Sequence, residues 1–211
     1  GINPKTGIEL ITKHFGHWSG HADAPVIHTT APRGYAHEED DTNQVQIIIV
    51  NDAPAAGTDH EMYELLAVSV LSGGMSGRLF TEVREKRGLC YSVSASYRAE
   101  KEYGLVTSYV GTTPERAQES LDVLHEQLLA MQAGDVTHQE LERARIGLKS
   151  RVIFSGESTG ARASSLIADI VKRGSPRTLA QIAEQIDAVD LNSFNEYLRG
   201  RTLGEVTIQT L

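Results

Sequence analysis

Two β-branched and aromatic runs separated by a short charged link constrain this chain more than any other feature. Tyr91-Ser92-Val93-Ser94-Ala95 and Tyr103-Gly104-Leu105-Val106-Thr107-Ser108-Tyr109-Val110-Gly111 read as strands, with Lys101 and Glu102 in the turn between them. Consecutive strands so closely joined form a hairpin, which favours an antiparallel sheet over a βαβ parallel one. Gln44-Val45-Gln46-Ile47-Ile48-Ile49-Val50 begins in alternation and ends as a continuous apolar run, the pattern of a strand buried on both faces. Val26-Ile27-His28-Thr29-Thr30 and Val206-Thr207-Ile208-Gln209-Thr210 supply two shorter β runs.

Helical patterns fill the intervals. One starts near Thr58, capped by Thr58 or Asp59, and is apolar nearly all round through Leu65, Leu66, Val68, Val70 and Leu71, as a central helix would be. Thr113-Pro114-Glu115 opens the next, with Pro at the first position and an acid near the positive helix end, and it runs to Gly134. Thr137 and Glu140 form a capping box for a long helical region reaching about Arg173, bent near Gly156 and Gly160. Two short helices follow at Thr178–Val189 and Leu191–Arg199, the second capped by Asp190. The sum is an α+β fold: a two-layer, mostly antiparallel sheet with helices packed on one face.

The N-terminal residues stand apart. Asn3 caps a short amphipathic helix with Pro4 at its first position and Ile8, Ile11 and Phe15 at helical spacing; Gly16 ends it. His17 to Pro25 reads as linker. Residues 1–24 are therefore expected to be the tail of a preceding unit, and 25–211 the domain. With no initiator Met, the chain reads as a processed product or a piece of a longer polypeptide.

Composition excludes several functions. A net charge of −8 argues against nucleic acid as a partner, which would call for a basic stripe. No apolar run approaches the roughly 20 residues of a transmembrane segment, so a soluble protein is expected, cytoplasmic or periplasmic, or in an organelle matrix. The single cysteine, Cys90, excludes an internal disulfide and a thiolate metal cluster.

The eight histidines are the natural candidates for metal chemistry. His14, His17, His21, His28 and His37 crowd the first part of the chain, but the segment Trp18-Ser19-Gly20 between His17 and His21 is not helical in pattern. Solvated linker histidines are the better reading, since a metal needs convergent ligands with support behind them. Neither H-E-x-x-H nor H-x-x-E-H occurs; His60-Glu61-Met62-Tyr63-Glu64 ends in Glu where the second ligand should stand. No metal is expected on this chain. Cys90 has no nearby histidine in sequence and reads as a small buried hydrophobe, not a nucleophile.

The stretch Ser72–Ala95 carries the remaining chemistry. Gly73 and Gly74 are expected to end a helix in the left-handed conformation, and Ser76 to cap a charged helix with Leu79, Phe80 and Val83 on its apolar face. Gly88 stops that helix, placing Arg84 in its last turn and Tyr91 at the mouth of the following strand. One reading pairs Arg84 with Glu82 or Glu85 on the surface and leaves Tyr91 half-buried. The other has a guanidinium and a phenol converging as hydrogen-bond donors on a carbonyl or anionic oxygen.

The segment GGMSGRLFTEVREKRGLCYSVSASY resembles the second, zinc-free repeat of the pitrilysin, insulin-degrading enzyme and mitochondrial processing peptidase family of zinc metallopeptidases, the inverzincins. Gln44-Val45-Gln46-Ile47, the Asp59 helix, Tyr103-Gly104-Leu105, Gly111-Thr112-Thr113-Pro114-Glu115, Thr137-x-x-Glu140-Leu141, and Glu157-Ser158 extend the resemblance over nearly the whole chain. The resemblance implies the fold of LuxS-like and processing-peptidase-like metalloenzymes. It also implies a partner half, in the same polypeptide or a separate subunit, that holds zinc. This chain, inactive alone, would form the opposing cavity wall and bind substrate peptide near the scissile bond through Arg84 and Tyr91, which have the family's spacing, with Gly73, Gly74 and Gly88 as turn residues. The alternative is a non-catalytic scaffold or peptide-binding subunit of the same fold.

Overall fold

The computed structural model describes residues 2–20, 33–201 and 207–210. The chain divides into residues 1–32 and 33–211. The boundary expected at residues 24 and 25, the run Val26–Thr30, and His21 and His28 all lie outside the described residues.

In the first unit, α1 (Pro4–Phe15) begins as anticipated: the Asn3 side chain accepts from the Lys5 amide at 2.9 Å, and Pro4 follows it. Gly16 closes the helix by donating to the Thr12 carbonyl at 2.9 Å. Ile8, Ile11 and Phe15 are exposed.

The second unit is built on five strands, β1 (Gly34–His37), β2 (Val45–Ala53), β3 (Cys90–Ala99), β4 (Gly104–Thr112) and β5 (Thr207–Thr210), in the order β1-β5-β2-β4-β3. Only the β1–β5 pair is parallel. The expected hairpin is β3–β4, its turn closed by the Glu100 amide donating to the Tyr103 carbonyl at 2.7 Å. The longest register is β2–β4, unbroken from Val45 opposite Thr112 to Ala53 opposite Gly104.

The helices of the second unit are α2 (Glu61–Ser72), α3 (Ala117–Gln132), α4 (His138–Glu157), α5 (Thr159–Arg173), α6 (Leu179–Asp187) and α7 (Leu191–Gly200). They cover one face of the sheet. On β2, Ile47, Ile49 and Asn51 are buried while Ile48 and Val50 are half-exposed, so the strand is not buried on both faces as its apolar run implied. β4 alternates in the same sense, with Val106, Ser108, Val110 and Thr112 turned to the helices. The core beneath joins Leu66, Val70 and Leu71 of α2 to Leu124 and Leu128 of α3, Leu141 of α4, and Phe194 and Leu198 of α7. Each such side chain contributes about 2 kcal/mol relative to exposure.

Caps follow the sequence closely. Thr137 and Glu140 form the capping box of α4, Thr178 and Gln181 that of α6, and Asp190 accepts from the Asn192 and Ser193 amides to start α7. The bend expected near Gly156 is a break at Ser158, whose hydroxyl caps α5 by accepting from the Ala161 amide. α2 starts three residues later than Thr58, because the Glu61 carboxylate itself reaches back to the Gly57 amide at 2.7 Å.

Two charge clusters tie the layer together. Glu64, fully buried on α2, accepts from the Tyr197 hydroxyl of α7 at 2.5 Å and pairs with Arg201 at 3.1 Å. Burial pushes its carboxyl above the ordinary value, offset in part by Arg201 and Tyr197. The second cluster, Arg78 with Glu140 (2.6 Å) and Asp135 (2.7 Å), anchors the start of the segment after α2 to the first turn of α4. Burial works against the Glu140 charge. The hydrogen bonds from Arg78 and from the Thr137 amide and hydroxyl, with the Arg78 charge, outweigh it and bring its carboxyl down to about 2. A depressed folded-state value means stability present above the unfolded value of 4.5 and lost as pH falls toward about 2. Arg78→Ala is therefore predicted to lower unfolding free energy by about 3 kcal/mol at neutral pH, since it strands a partly buried carboxylate. The deficit relative to the parent should stay constant above about pH 5 and shrink toward pH 2 in denaturant titrations.

Candidate functional site

The segment from Gly73 to Ser92 departs from its expected local structure in ways that shape the site. Gly73 is right-handed (φ −76°), and Gly74 alone at this corner takes a positive φ, 119°. A Cβ at Gly73 would lie 2.2 Å from the Ser69 carbonyl oxygen, so close approach is what that position requires. The charged helix is a π-helix, Phe80–Glu85, opened by a single turn at Arg78 and Leu79, and its cap position, Leu79, carries no side-chain cap. The Lys86 amide donates to the Thr81 carbonyl at 2.9 Å, five residues back. A π turn is a rare element that recurs at functional sites. Leu79 and Val83 are fully buried, whereas Phe80 is half-buried and offers its ring to Arg84, whose guanidinium carbon stands 5.2 Å from the centroid.

The turn from Arg84 to Tyr91 is held at several points. The Gly88 amide donates to the Arg84 carbonyl and the Leu89 amide to the Val83 carbonyl, both at 3.0 Å. Gly88, expected to stop the helix, does so in the left-handed conformation (φ 61°). Arg116 donates to the Gly88 carbonyl, and Thr112 to that of Leu89 at 2.5 Å. β3 then slips register between Cys90 and Ser92, a bulge that sets Tyr91 out of the regular alternation.

Arg84 is not paired with Glu82, which holds Lys86 (2.7 Å) and Arg87 (2.9 Å) instead. Among the described residues Arg84 has no carboxylate partner. Its charge is felt at the Cys90 thiol, where burial prevails and pushes the thiol upward, which disfavours the thiolate a nucleophile needs. Cys90 is half-buried, close to its expected place as a small apolar residue.

Tyr91 is 47% exposed and enters a polar cluster that sequence reasoning did not assemble. Its hydroxyl donates to Gln44 Oε1 at 2.9 Å and accepts from Gln46 Nε2 at 3.1 Å. Tyr109 donates to Gln46 Oε1, and the two phenol oxygens are 3.5 Å apart. Gly111 makes this possible. It sits on β4 between Gln46 of β2 and Ser92 of β3, and a Cβ there would meet the Tyr91 hydroxyl at 2.6 Å and its ring at 2.7 Å. The available signals were Gly111 inside a strand and two aromatic residues on β-like runs, but only the sheet register brings them to one spot. The neighbouring Tyr109 hydroxyl and, after it, the Gln46 bond pull the Tyr91 phenol below its ordinary value; desolvation, and then Tyr91 itself, push Tyr109 up to about 12.

Among the described residues no group of three His, Cys, Asp or Glu side chains is placed to hold a metal ion. His60 packs between the rings of Tyr63 (5.9 Å) and Tyr197 (5.1 Å), an aromatic role and not a ligand's. No helix among the described residues is long and apolar enough to cross a membrane.

A family profile described as the peptidase M16 inactive domain matches residues 1–148. The chain belongs to that family. It is 33% identical over 142 residues to an uncharacterized zinc protease, YmxG, of Bacillus subtilis, covering 66% of this chain and 35% of the relative. Against the uncharacterized zinc protease Rv2782c of Mycobacterium tuberculosis the identity is 28% over 159 residues, covering 75% and 36%. The chain thus spans about a third of the length of these relatives. In three dimensions it resembles a protease from Helicobacter pylori with a TM-score of 0.84 at 18% identity, over 100% of this chain and 53% of that one. A chain of complex III from Candida albicans shares the fold with a TM-score of 0.74 at 14% identity, over 84% and 45%. The α+β architecture with its antiparallel sheet is that of the M16 inactive domain.

The close packing at Gly111 yields a prediction. Gly111→Ala should leave the domain folded but swing the Tyr91 ring off β4, because the exposed phenol yields more easily than the central strand. A crystal structure of the variant should show Tyr91 outside hydrogen-bonding distance of Gln46; a ring still lying over residue 111 would contradict the packing described.

Proposed function

We propose that this chain is the metal-free half of a zinc metalloendopeptidase. It would form the wall of the substrate cavity opposite the zinc-bearing half and use Arg84 and Tyr91 as hydrogen-bond donors to the scissile carbonyl or its oxyanion. The partner half, in the same polypeptide or another subunit, supplies the metal and the polarisation and water activation that a metal provides. What this chain brings is donor placement. The observation that carries the reading is a donor pair on a braced turn. Tyr91 is exposed on a bulge over Gly111, and Arg84 sits on a π-helix with an aromatic ring behind it and no carboxylate partner among the described residues.

The chemistry follows from the groups themselves. A guanidinium keeps its charge at any working pH and presents a planar fork of N–H donors. A phenol remains protonated at neutral pH and gives one directional donor. Neither binds the ground-state carbonyl as strongly as the oxyanion that develops on it, so both act where the charge appears. The peptide backbone is common to all substrates, so these donors would orient the scissile bond without selecting side chains.

A second reading, a non-catalytic scaffold or peptide-binding subunit, draws on the fold shared with the complex III chain. The two differ in what the full-length protein does. In the peptidase reading, Arg84→Ala and Tyr91→Phe each lower kcat for a quenched fluorogenic peptide by roughly 10²-fold to 10³-fold, the usual loss of an oxyanion donor, and leave zinc content intact. Turnover unchanged in both variants would contradict the assignment, and an H-x-x-E-H motif absent from both the remaining polypeptide and any partner subunit would favour the scaffold.

A further inference from the structure

The cluster around Tyr91 contains more polar groups than a donor pair requires, and their connectivity has a direction. Gln46 lies on β2 with its carboxamide between two phenols. Its oxygen is occupied by the Tyr109 hydroxyl, which forces its nitrogen toward Tyr91 Oη (3.1 Å) and Gln44 Oε1 (3.3 Å). As placed, the carboxamide turns its N–H toward Tyr91 at 3.1 Å, while its oxygen, which takes the Tyr109 proton, lies 3.4 Å from the same phenol. Tyr91 Oη is thus supplied with a donor, and of the two oxygens within reach of its own proton Gln44 Oε1 is nearer than Gln46 Oε1. In this structure the proton goes to Gln44 Oε1 at 2.9 Å, on an exposed side chain at the edge of the cluster.

We propose that Gln46 and Tyr109 are positioning residues that hold the Tyr91 phenol as an outward-pointing donor, with Gln44 as the acceptor that a substrate oxygen displaces. This rests on the reading of Tyr91 given above and extends it to Gln46 on β2, Tyr109 on β4 and Gln44 just before β2. Three features support it. Gln46 and Tyr109 share the sheet face opposite the second unit's helices, as the burial of Ile47, Ser108 and Val110 on the other face requires. Gly111 is the register neighbour of Gln46 and lets the Tyr91 ring lie across β4 to reach it. The chain Tyr109→Gln46→Tyr91→Gln44 runs donor to acceptor throughout, and each bond in such a chain polarises the next, making the terminal phenol a stronger donor.

The ionisable group acting on Tyr91 is Tyr109 on β4; Cys90, the neighbour of Tyr91 on β3, acts on Tyr109 and is itself acted on by Arg84. The adjoining Tyr109 hydroxyl first, and the Gln46 bond second, lower the Tyr91 phenol, the direction that strengthens donation. Tyr109, half-buried on the far side of the carboxamide, moves the opposite way and stays protonated as the anchor.

The test uses the full-length protein, with Gln46→Leu and Tyr109→Phe against Tyr91→Phe. Both positioning variants remove polar atoms without adding bulk on a half-exposed face. With a quenched fluorogenic peptide, each should lower kcat about tenfold and leave KM within about twofold, the scale of one lost hydrogen bond. In the Tyr91→Phe background neither should have any further effect on kcat. In protein labelled with [13Cζ]tyrosine, with the Tyr91 resonance assigned by its absence in Tyr91→Phe, the midpoint of its titration should rise in Gln46→Leu. An unchanged midpoint would overturn the inference, and so would parental kinetics in both positioning variants while Tyr91→Phe is impaired. Parental kinetics in Tyr91→Phe itself would instead remove the underlying reading of Tyr91.

Discussion

The pairing of β4 with strands on both sides is the constraint on which the rest of the structure depends. β4 runs in register against β2 from Thr112 to Gly104 and against β3 over nearly the same length. One face of this trio takes the helices, through Ile47, Ile49, Val110 and Ala95 meeting Leu66, Val70 and Leu71. The other face is left to carry Gln46, Tyr109 and, after the bulge, Tyr91. Since side chains alternate along a strand, a slip of one residue would send Tyr109 into the core and Val110 out. Core packing and site assembly are thus the same event. The apolar face sets the register, and the register delivers the polar cluster.

The turn between the π-helix and β3 shows how a site is braced at a distance from the core. Leu79 and Val83 drive the π-helix into the hydrophobic layer, while Arg78 locks its start to Glu140 and Asp135. Arg116 and Thr112 hold the carbonyls of Gly88 and Leu89 from the other side. Arg84 and Tyr91 therefore leave a fixed turn on either side of Cys90, with little backbone freedom for the proposed substrate contact to remove. Preorganisation of this kind is what makes hydrogen-bond donors effective against developing charge.

Much of this was legible in the sequence where the controlling interaction is local. Asn3, Thr137 with Glu140, Thr178 and Asp190 start helices because their side chains reach amides two or three residues on, and such contacts are visible in spacing. The hairpin turn at Lys101 and Glu102 is of the same kind. Gly73 was misread because a glycine pair after a helix suggests a left-handed cap, whereas here it is Gly74 that turns and Gly73 is needed for room beside Ser69. The π-helix was read as an ordinary one, since Leu79, Phe80 and Val83 satisfy either period. The partners of Tyr91 were invisible for a different reason: Gln44, Gln46, Tyr109 and Gly111 converge only through strand pairing. Helix α5 carries a further departure, since Ile167, Ile170 and Val171 form an apolar stripe that is exposed in the chain while Asp169 on its other side is buried against Arg173 and Arg177.

The central claim is that Arg84 and Tyr91 face the scissile bond of a peptide held by both halves of the protease. A crystal structure of the full-length protein with a phosphinic peptide, whose tetrahedral oxygens imitate the oxyanion, tests it most directly. The account predicts Tyr91 Oη and an Arg84 guanidinium nitrogen within about 2.6–3.2 Å of the phosphinyl oxygens or the flanking carbonyl, with the Tyr91–Gln44 bond broken and Gln46 still in place. A bound peptide that leaves both side chains in solvent, with Tyr91 still donating to Gln44, would contradict it.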